Sequence, residues 1–373
     1  MKKKHNSVSG RPEFLVGLMV FGLLLSFARA GRAEGIGDPA SYLPTLSSYA
    51  QGRYTAPDTG DDLLSLRRYK VMLDGGLQDQ LHYHFQFIYK YNNGSSTDNA
   101  VFMQDAYIVY PFTPGLSLKA GQFIPPFGLE RFQPDWNLDF VDRTDVTNRM
   151  VPNGNLDDSF ARDLGLQGDW DFSGWELSTG IFQGGGANNG LKDNGPLGVV
   201  RLSSGRKGSC GPRQWSWRAG MAGSGRRDVD LNFSGQLPGL SKKLTSHFAG
   251  QDDRLNGFVE AGWGRLRAQA EYFQTWYEPS TGSEIAAVGA YGQIAWLPVK
   301  SVILALRNEW FNPDVHQSTA FPSDEWTLGA TYDLPWAPIR IAVDHSWIDG
   351  GTGPSDQWRV QVQYFPIKGL KLG

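Results

Sequence analysis

Leu81-His82-Tyr83-His84-Phe85-Gln86-Phe87-Ile88-Tyr89-Lys90-Tyr91 is the stretch that decides the fold. Leu81, Tyr83, Phe85, Phe87, Tyr89 and Tyr91 share one parity; His82, His84, Gln86, Ile88 and Lys90 share the other. Alternation with period two over this length marks a β-strand with one apolar and one mostly polar face. Five successive aromatics on one face are more than most soluble sheets show. A strand of roughly 9–11 residues is also what a tilted crossing of a bilayer needs.

Downstream, Asp105 to Arg131 adds a second signal. It reads as a strand ending near Tyr110, a tight turn carrying Pro111, Pro114 and Gly115, and a returning strand through Phe123. Ile124-Pro125-Pro126-Phe127-Gly128 cannot continue that strand, because two prolines remove ladder donors. Residues 125–159 then show no sustained apolar alternation, an unusual length for an ordinary connection. A short turn at one end of a strand and a long loop at the other recur along the chain. Short turns fall at 75–79, 111–114, 171–173, 204–213, Gly264, 298–299 and 334–337. Longer links fall at 56–62, 92–99, 125–159, 184–194, 224–255, 277–285, 312–324 and 349–355. This sorting predicts an all-β fold: a transmembrane antiparallel β-barrel with short periplasmic turns and long extracellular loops. About sixteen strands are readable, a size that leaves an aqueous channel. The ending Phe365-Pro366-Ile367-Lys368-Gly369-Leu370-Lys371-Leu372 resembles Tyr110 to Leu118, which leaves open sixteen strands with a short tail or eighteen with a further hairpin.

Composition agrees with a turn-rich β protein: Gly 46, Trp 13, Tyr 14 and Phe 21 in 373 residues. The mean hydropathy of −0.37 looks soluble, and after the N-terminus no run of about 18 apolar residues occurs. That excludes a helical membrane bundle and says nothing against a barrel. Lys2, Lys3, Lys4 and Arg11 precede an apolar run from Phe14 to Phe27, followed by Ala28-Arg29-Ala30 and Gly31-Arg32-Ala33. This is the layout of a secretory signal peptide, expected over residues 1–33, with cleavage before Glu34 or after Ala30. A periplasmic lead segment (34–44) and the barrel (45–373) follow. Without residues 1–33 the chain keeps 29 basic and 37 acidic residues, a balance of −8. An acidic exported chain without basic blocks is not a nucleic-acid binder. Cys210 is the only cysteine, so neither an intramolecular disulfide nor a Cys-based metal site is available.

Several segments together resemble the phosphate-selective porin O and P family. They are Tyr49-Ala50-Gln51-Gly52-Arg53-Tyr54, Leu66-Arg67-Arg68-Tyr69-Lys70, Asp105-Ala106-Tyr107-Ile108 and Ala120-Gly121-Gln122-Phe123, then Pro126-Phe127-Gly128-Leu129-Glu130 and Ala161-Arg162-Asp163-Leu164-Gly165. The resemblance implies a sixteen-stranded barrel of the bacterial outer membrane, a homotrimer, with the third extracellular loop folded into the pore. Here that loop is 125–159. Members that prefer phosphate line the pore with arginines and constriction lysines. Loop 125–159 instead has no lysine, and sets Glu130, Asp135, Asp139, Asp142, Asp145, Asp157 and Asp158 against Arg131, Arg143 and Arg149. On that count the constriction is net negative and repels phosphate.

Strand parity names the charged wall. Basic candidates for the pore lining are Arg68, Lys70, His82, His84, Lys90, Lys119, Arg218, Arg265, Arg267 and Arg307, joined by Glu130, Arg131 and Arg143 of the loop. Arg340 and Arg359 share their parity, as do Asp163, Glu176, Glu271, Glu309, Glu325 and Asp344. The set reads either as a basic rail for anions or as a hydrated wall whose charges pair across strands. His82 and His84 could reach one metal, but no third ligand is identifiable and pore lining accounts for them. Gly184-Gly185-Gly186 lacks the helix and lysine of a phosphate-cradling loop. Trp170, Trp175, Trp215, Tyr272, Trp276, Trp296, Trp310, Trp347 and Tyr364, near strand ends, suit interfacial girdles. The function expected is passive diffusion of small hydrophilic solutes or inorganic ions, with anions as one bias, through a protein embedded in outer-membrane lipid. It is not an enzyme and needs no cofactor. A phosphate- or polyphosphate-selective channel is the alternative within the class; an outer-membrane hydrolase or a surface adhesin or scaffold barrel are alternatives from others.

Overall fold

The computed structural model describes residues 43–372 except 78–80, 95–97, 153–159, 190–194, 234, 238, 241–246, 318–321 and 351–355. The expected signal peptide, nearly all of the lead segment, and Asp157 and Asp158 lie outside the described residues.

Sixteen strands run in order: β1 (Thr45–Pro57), β2 (Leu63–Leu77), β3 (Leu81–Tyr91), β4 (Val101–Thr113), β5 (Leu116–Phe123), β6 (Asp163–Phe172), β7 (Trp175–Phe182), β8 (Leu197–Cys210), β9 (Arg213–Leu231), β10 (Phe248–Trp263), β11 (Leu266–Pro279), β12 (Ile285–Val299), β13 (Val302–Asn312), β14 (Ser323–Asp333), β15 (Ile339–Gly350) and β16 (Asp356–Lys371). Each pairs antiparallel with its sequence neighbours, and β1 pairs with β16 to close the ring. Closure leaves no edge, so every strand spends its backbone donors and acceptors on two partners, as a lipid environment demands. Links at one end are short, such as 114–115, 211–212 and 264–265; links at the other reach from 124 to 162.

Burial is inverted relative to a soluble sheet. Along β14, Thr327 and Thr331 are buried while Trp326, Leu328 and Tyr332 are exposed. The outer surface is the apolar one, and the charged residues of the same strands point inward. Exposed tryptophans form a belt at each end of the wall: Trp170, Trp175, Trp217, Trp263 and Trp296 near the short turns, Trp310, Trp326, Trp347 and Trp358 near the long loops.

Two departures from the sequence pattern have physical causes. Half of the link expected over 224–255 is strand, because β9 runs to Leu231 and β10 starts at Phe248. Gly223-Ser224-Gly225 and Gln251-Asp252-Asp253 carry no apolar alternation; there the hairpin is held by charge, with Arg226 3.1 Å from both Asp228 and Asp252. At the other limit, β16 continues through Pro366, and Thr45 pairs with Lys371 and Ser48 with Ile367. Pro366 falls at a register irregularity, where a missing N–H is tolerated. The described strands therefore number sixteen, and Pro366 to Lys371 belong to the closing strand.

Candidate functional site

The link between β5 and β6 turns into the barrel. Pro125-Pro126 end the strand, and Gly128 takes φ +85°, where an added Cβ would also sit 3.5 Å from the Glu271 carboxylate. A 3-10 turn (Glu130–Phe132), a second (Asp135–Asn137) and a short helix α1 (Asp145–Met150) follow. Thr144 caps α1, its Oγ1 accepting from the Thr147 N–H at 3.0 Å. Residues of this segment bond to inward-facing side chains of β1, β2, β10, β11, β13, β15 and β16. Only a segment lying inside the ring can reach strands all round it.

Wall carboxylates hold the loop by its backbone. Glu271 of β11 accepts the N–H groups of Leu129 and Glu130, both at 2.7 Å, and is completed by Tyr291 Oη and Asn256 Nδ2. Asp344 of β15 accepts the Val141 N–H and Glu309 of β13 the Val146 N–H, each at 3.0 Å. Within the loop, Arg131 donates to the carbonyls of Val151 at 2.6 Å and Thr147 at 3.1 Å, satisfying the end of α1. Arg131 has no carboxylate within ion-pair distance among the described residues, and burial lowers its pKa to about 9. Wall glycines provide sockets: a Cβ on Gly289 would lie 2.7 Å from Val146 Cγ1, and one on Gly329 2.8 Å from Phe140.

The loop carboxylates meet a basic wall. Asp135 is 2.5 Å from Arg68 and 2.6 Å from Lys70, both of β2, and also pairs with Arg143 of the loop. Burial alone would raise the Asp135 carboxyl; Arg143, Arg68 and Lys70 outweigh it and hold the group well below its usual range. Asp142 is 2.6 Å from Arg53 of β1 and 3.5 Å from Arg67 of β2, and is likewise held low against burial by Arg53 and Arg67. The arginines Arg53, Arg67, Arg68 and Arg143, with Lys70 beside them, thus face two carboxylates, so cations outnumber carboxylates where the loop meets β1 and β2. The loop carboxylates Asp135 and Asp142 are thus met by cations of the wall, which the charge count of the loop alone leaves out.

Opposite β1 and β2 an apolar cluster lies beside the buried charges of Arg226, Asp252, Arg254 and Glu271. Phe127, Val146, Met150 and Phe160 pack with Phe182, Phe273, Tyr277 and Phe311 of the wall and with Phe233 and Phe248. Open space remains beside the loop. A cavity of about 280 Å³ lies between α1 and β13–β16, lined by Arg307, Glu309, Glu325 and Arg359; another of about 310 Å³ lies between Gln133, Asn137 and Asp139 and the wall residues Glu260, Arg267 and Gln293.

Of the candidate lining residues, Arg68 and Lys70 of the wall and Arg143 of the loop meet on Asp135, and Lys90 lies across from the Arg67-Arg68 irregularity of β2. Glu130 accepts from the Thr144 N–H and Oγ1. Arg267 pairs with Asp139 of the loop, Arg307 lies 3.1 Å from Glu309, and Arg218 lies 2.9 Å from Glu260. His82 is exposed at the short-turn end of β3; His84 lies 2.6 Å from Asp74; the Lys119 ammonium sits 4.1 Å from the Tyr107 ring. These three do not join the cluster at Asp135. Arg265 is corrected: the two-residue turn 264–265 places it at the rim, exposed, its Nη1 donating to the Pro298 carbonyl. Arg53 and Arg67 escaped the sequence reading. Arg53 shares parity with Tyr49 and Gln51, a pattern present in the sequence. Arg67 has the parity of the lipid face; an irregularity between the Gln51–Arg68 and Gly52–Leu66 pairs turns it inward. No group of three or more His, Cys, Asp or Glu is placed to hold a metal among the described residues.

Such a closed sixteen-stranded ring with an in-folded loop is the architecture of an outer-membrane porin. The sequence profile of the family "Phosphate-selective porin O and P" matches residues 47–332, and the chain belongs to that family. No curated protein matches it. Among solved structures, Salmonella typhi OmpF in complex with daunomycin superposes with a TM-score of 0.61 at 12% identity, covering 88% of this chain and 99% of that one. The anion-selective porin from Comamonas acidovorans gives 0.56 at 12%, covering 87% and 98%. OmpT of Vibrio cholerae gives 0.56 at 12%, covering 88% and 99%. At such identities these show a shared fold. The protein is a bacterial outer-membrane porin.

Proposed function

We propose that the protein is a passive channel for small hydrophilic solutes and ions with a bias towards anions, acting without catalysis and assembled as a homotrimer. The observation that carries the bias is the surplus of cations over carboxylates where the loop meets β1 and β2. Fixed charge beside a narrow passage sets which ion accumulates there. The trimer rests on the fold and on the trimer form described for OmpT of Vibrio cholerae. Reversal potentials in a planar bilayer under a KCl gradient test the reading: chloride is expected to permeate faster than potassium, and Arg53→Gln with Arg67→Gln is expected to reduce the ratio. Potassium preference in the unmodified protein overturns it. The family supports a second reading, a phosphate- or polyphosphate-selective channel; millimolar phosphate is then expected to block chloride current.

A further inference from the structure

Past Leu255, which is exposed on the outer face, the β9–β10 hairpin carries Arg227, Gln251 and Asp253 on its outward parity, so this part stands clear of the lipid band. Its inward parity carries a charge cluster separate from the one at Asp135. Two arginines, Arg226 and Arg254, meet two carboxylates, Asp228 and Asp252, and all four are buried. Equal numbers would allow two matched ion pairs, but the hydrogen bonds are divided unequally.

Asp252 takes the guanidinium donors. Arg254 reaches it with Nε at 2.8 Å and Nη2 at 2.7 Å, and Arg226 adds Nε at 3.1 Å. The Nη1 donors go to backbone: Arg254 to the Met150 carbonyl at 2.7 Å, at the end of α1, and Arg226 to the Gly184 carbonyl at 3.3 Å, just after β7. Asp228 is 2% exposed, and neither of its oxygens accepts a hydrogen bond. Arg226 Nε lies 3.1 Å from its Oδ1, but the hydrogen bond from that nitrogen goes to Asp252. A buried carboxylate without donors keeps the desolvation cost of its charge, whereas a neutral carboxylic acid avoids it. Burial raises the Asp228 carboxyl to about 6 against the pull of Arg226, with Asp252 adding to the rise. Burial also acts on Asp252, but Arg254 and Arg226 outweigh it and hold that group below its usual range.

We propose that Asp228 is the proton-carrying member of this pair, and that its ionisation is a pH-sensitive switch on the tie between the β9–β10 hairpin and the segment after β7. With Asp228 neutral, both arginines stay on Asp252, and their Nη1 donors hold Gly184 and the end of α1. Once ionised, Asp228 competes for Arg226. The bond to Gly184, at 3.3 Å the longest of the set, is then the one released. The tie to Met150 remains, because Asp252 holds Arg254 through two donors. Among the described residues, the other charged or titratable groups around the pair have their own partners. Asp163 of β6 accepts the Gly184 N–H at 2.6 Å, Arg149 of α1 lies 2.5 Å from Asp145, and the Tyr277 ring of β11 stacks on Phe233. Further out on the hairpin, His247 and Asp230 are exposed and lie 2.8 Å from each other.

The folded protein in detergent, taken from about pH 4 to about pH 8, provides the test. Protection of residues 184–189 against hydrogen exchange, corrected for the intrinsic rate, should fall as pH rises through the Asp228 value; this arm needs no variant, and constant protection overturns the switch. Infrared difference spectra between the unmodified protein and Asp228→Asn should show a protonated carboxyl band at about pH 5 that is gone by about pH 8. Absence of that band rules out the proton. A raised folded value contributes stability that is complete below the unfolded one and is lost as pH rises through the folded one. Asp228→Asn copies the neutral acid, so its melting temperature should pull ahead of the unmodified protein's between about pH 4 and about pH 7 and keep that lead above. A lead that does not change with pH sinks the proposal, as does a variant that melts lower at about pH 8. Asp252→Asn should melt lower throughout, because it strips both arginines of their acceptor; equal effects of the two variants would mean a shared charge and overturn the assignment. His247→Gln should leave the pattern intact, and its loss there would move the switch to the exposed histidine.

Discussion

Asp135 is bonded by cations from two directions, the β2 wall and the loop itself, and this makes it the residue on which the charge of the passage turns. Removing one member of a buried ion cluster leaves the others uncompensated, at a cost on the order of 3 kcal/mol. Asp135→Asn is therefore expected to lower thermal stability and to raise chloride preference. The pH dependence follows from the direction of the shift. An unfolded aspartate titrates near ~3.9, whereas folded Asp135 titrates well below it. Its stabilisation is complete above the unfolded value and is lost only as pH falls through the depressed folded one. The stability gap between the unmodified protein and Asp135→Asn should stay constant from about pH 8 to about pH 5 and close only in stronger acid. A gap that already closes near neutrality would sink the assignment. At this scale the sequence was half readable. Parity brought out Arg68 and Lys70 because their strand alternates; it hid Arg67 because one irregular pair reverses the face, and nothing in Leu66-Arg67-Arg68-Tyr69 announces that.

The loop behaves as an element hung from the wall. Its existence was plain from Pro125-Pro126 and the lost alternation, but its attachments were not. Glu271 lies about 140 positions downstream of the N–H groups it accepts, and an acceptor for a backbone donor has no sequence pattern of its own. Glu271→Leu would leave two buried N–H groups without partners, at about 1–3 kcal/mol each. Release of the loop should appear as larger, noisier single-channel currents and as protease cleavage within 125–152; currents and cleavage unchanged from the parent would show that Asp344 and Glu309 suffice. Gly289→Ala probes the same attachment from the other side. The new methyl would press on Val146, displacing α1 and shifting the conductance level while the barrel stays folded.

For the whole molecule, closure is the property that matters. Fifteen of the pairings join neighbours in sequence, and β1 with β16 joins the two ends. Alternation and loop lengths gave the strand count away. The long charged hairpin of β9 and β10 did not, because it reaches past the apolar belt and is held by ion pairs instead. Deleting residues 366–373 removes the partners of Thr45, Leu46 and Ser48, and should leave a ring that unfolds at lower temperature in detergent, read as loss of the compact band on unheated gels.

Because Thr45 and Lys371 lie side by side, the ring has no intrinsic beginning. A short linker joining these positions, with the chain reopened in an exposed link such as 280–284, would yield the same sixteen pairings in a rotated order. Where synthesis starts is thus a matter of export and timing, and the barrel itself is indifferent to it.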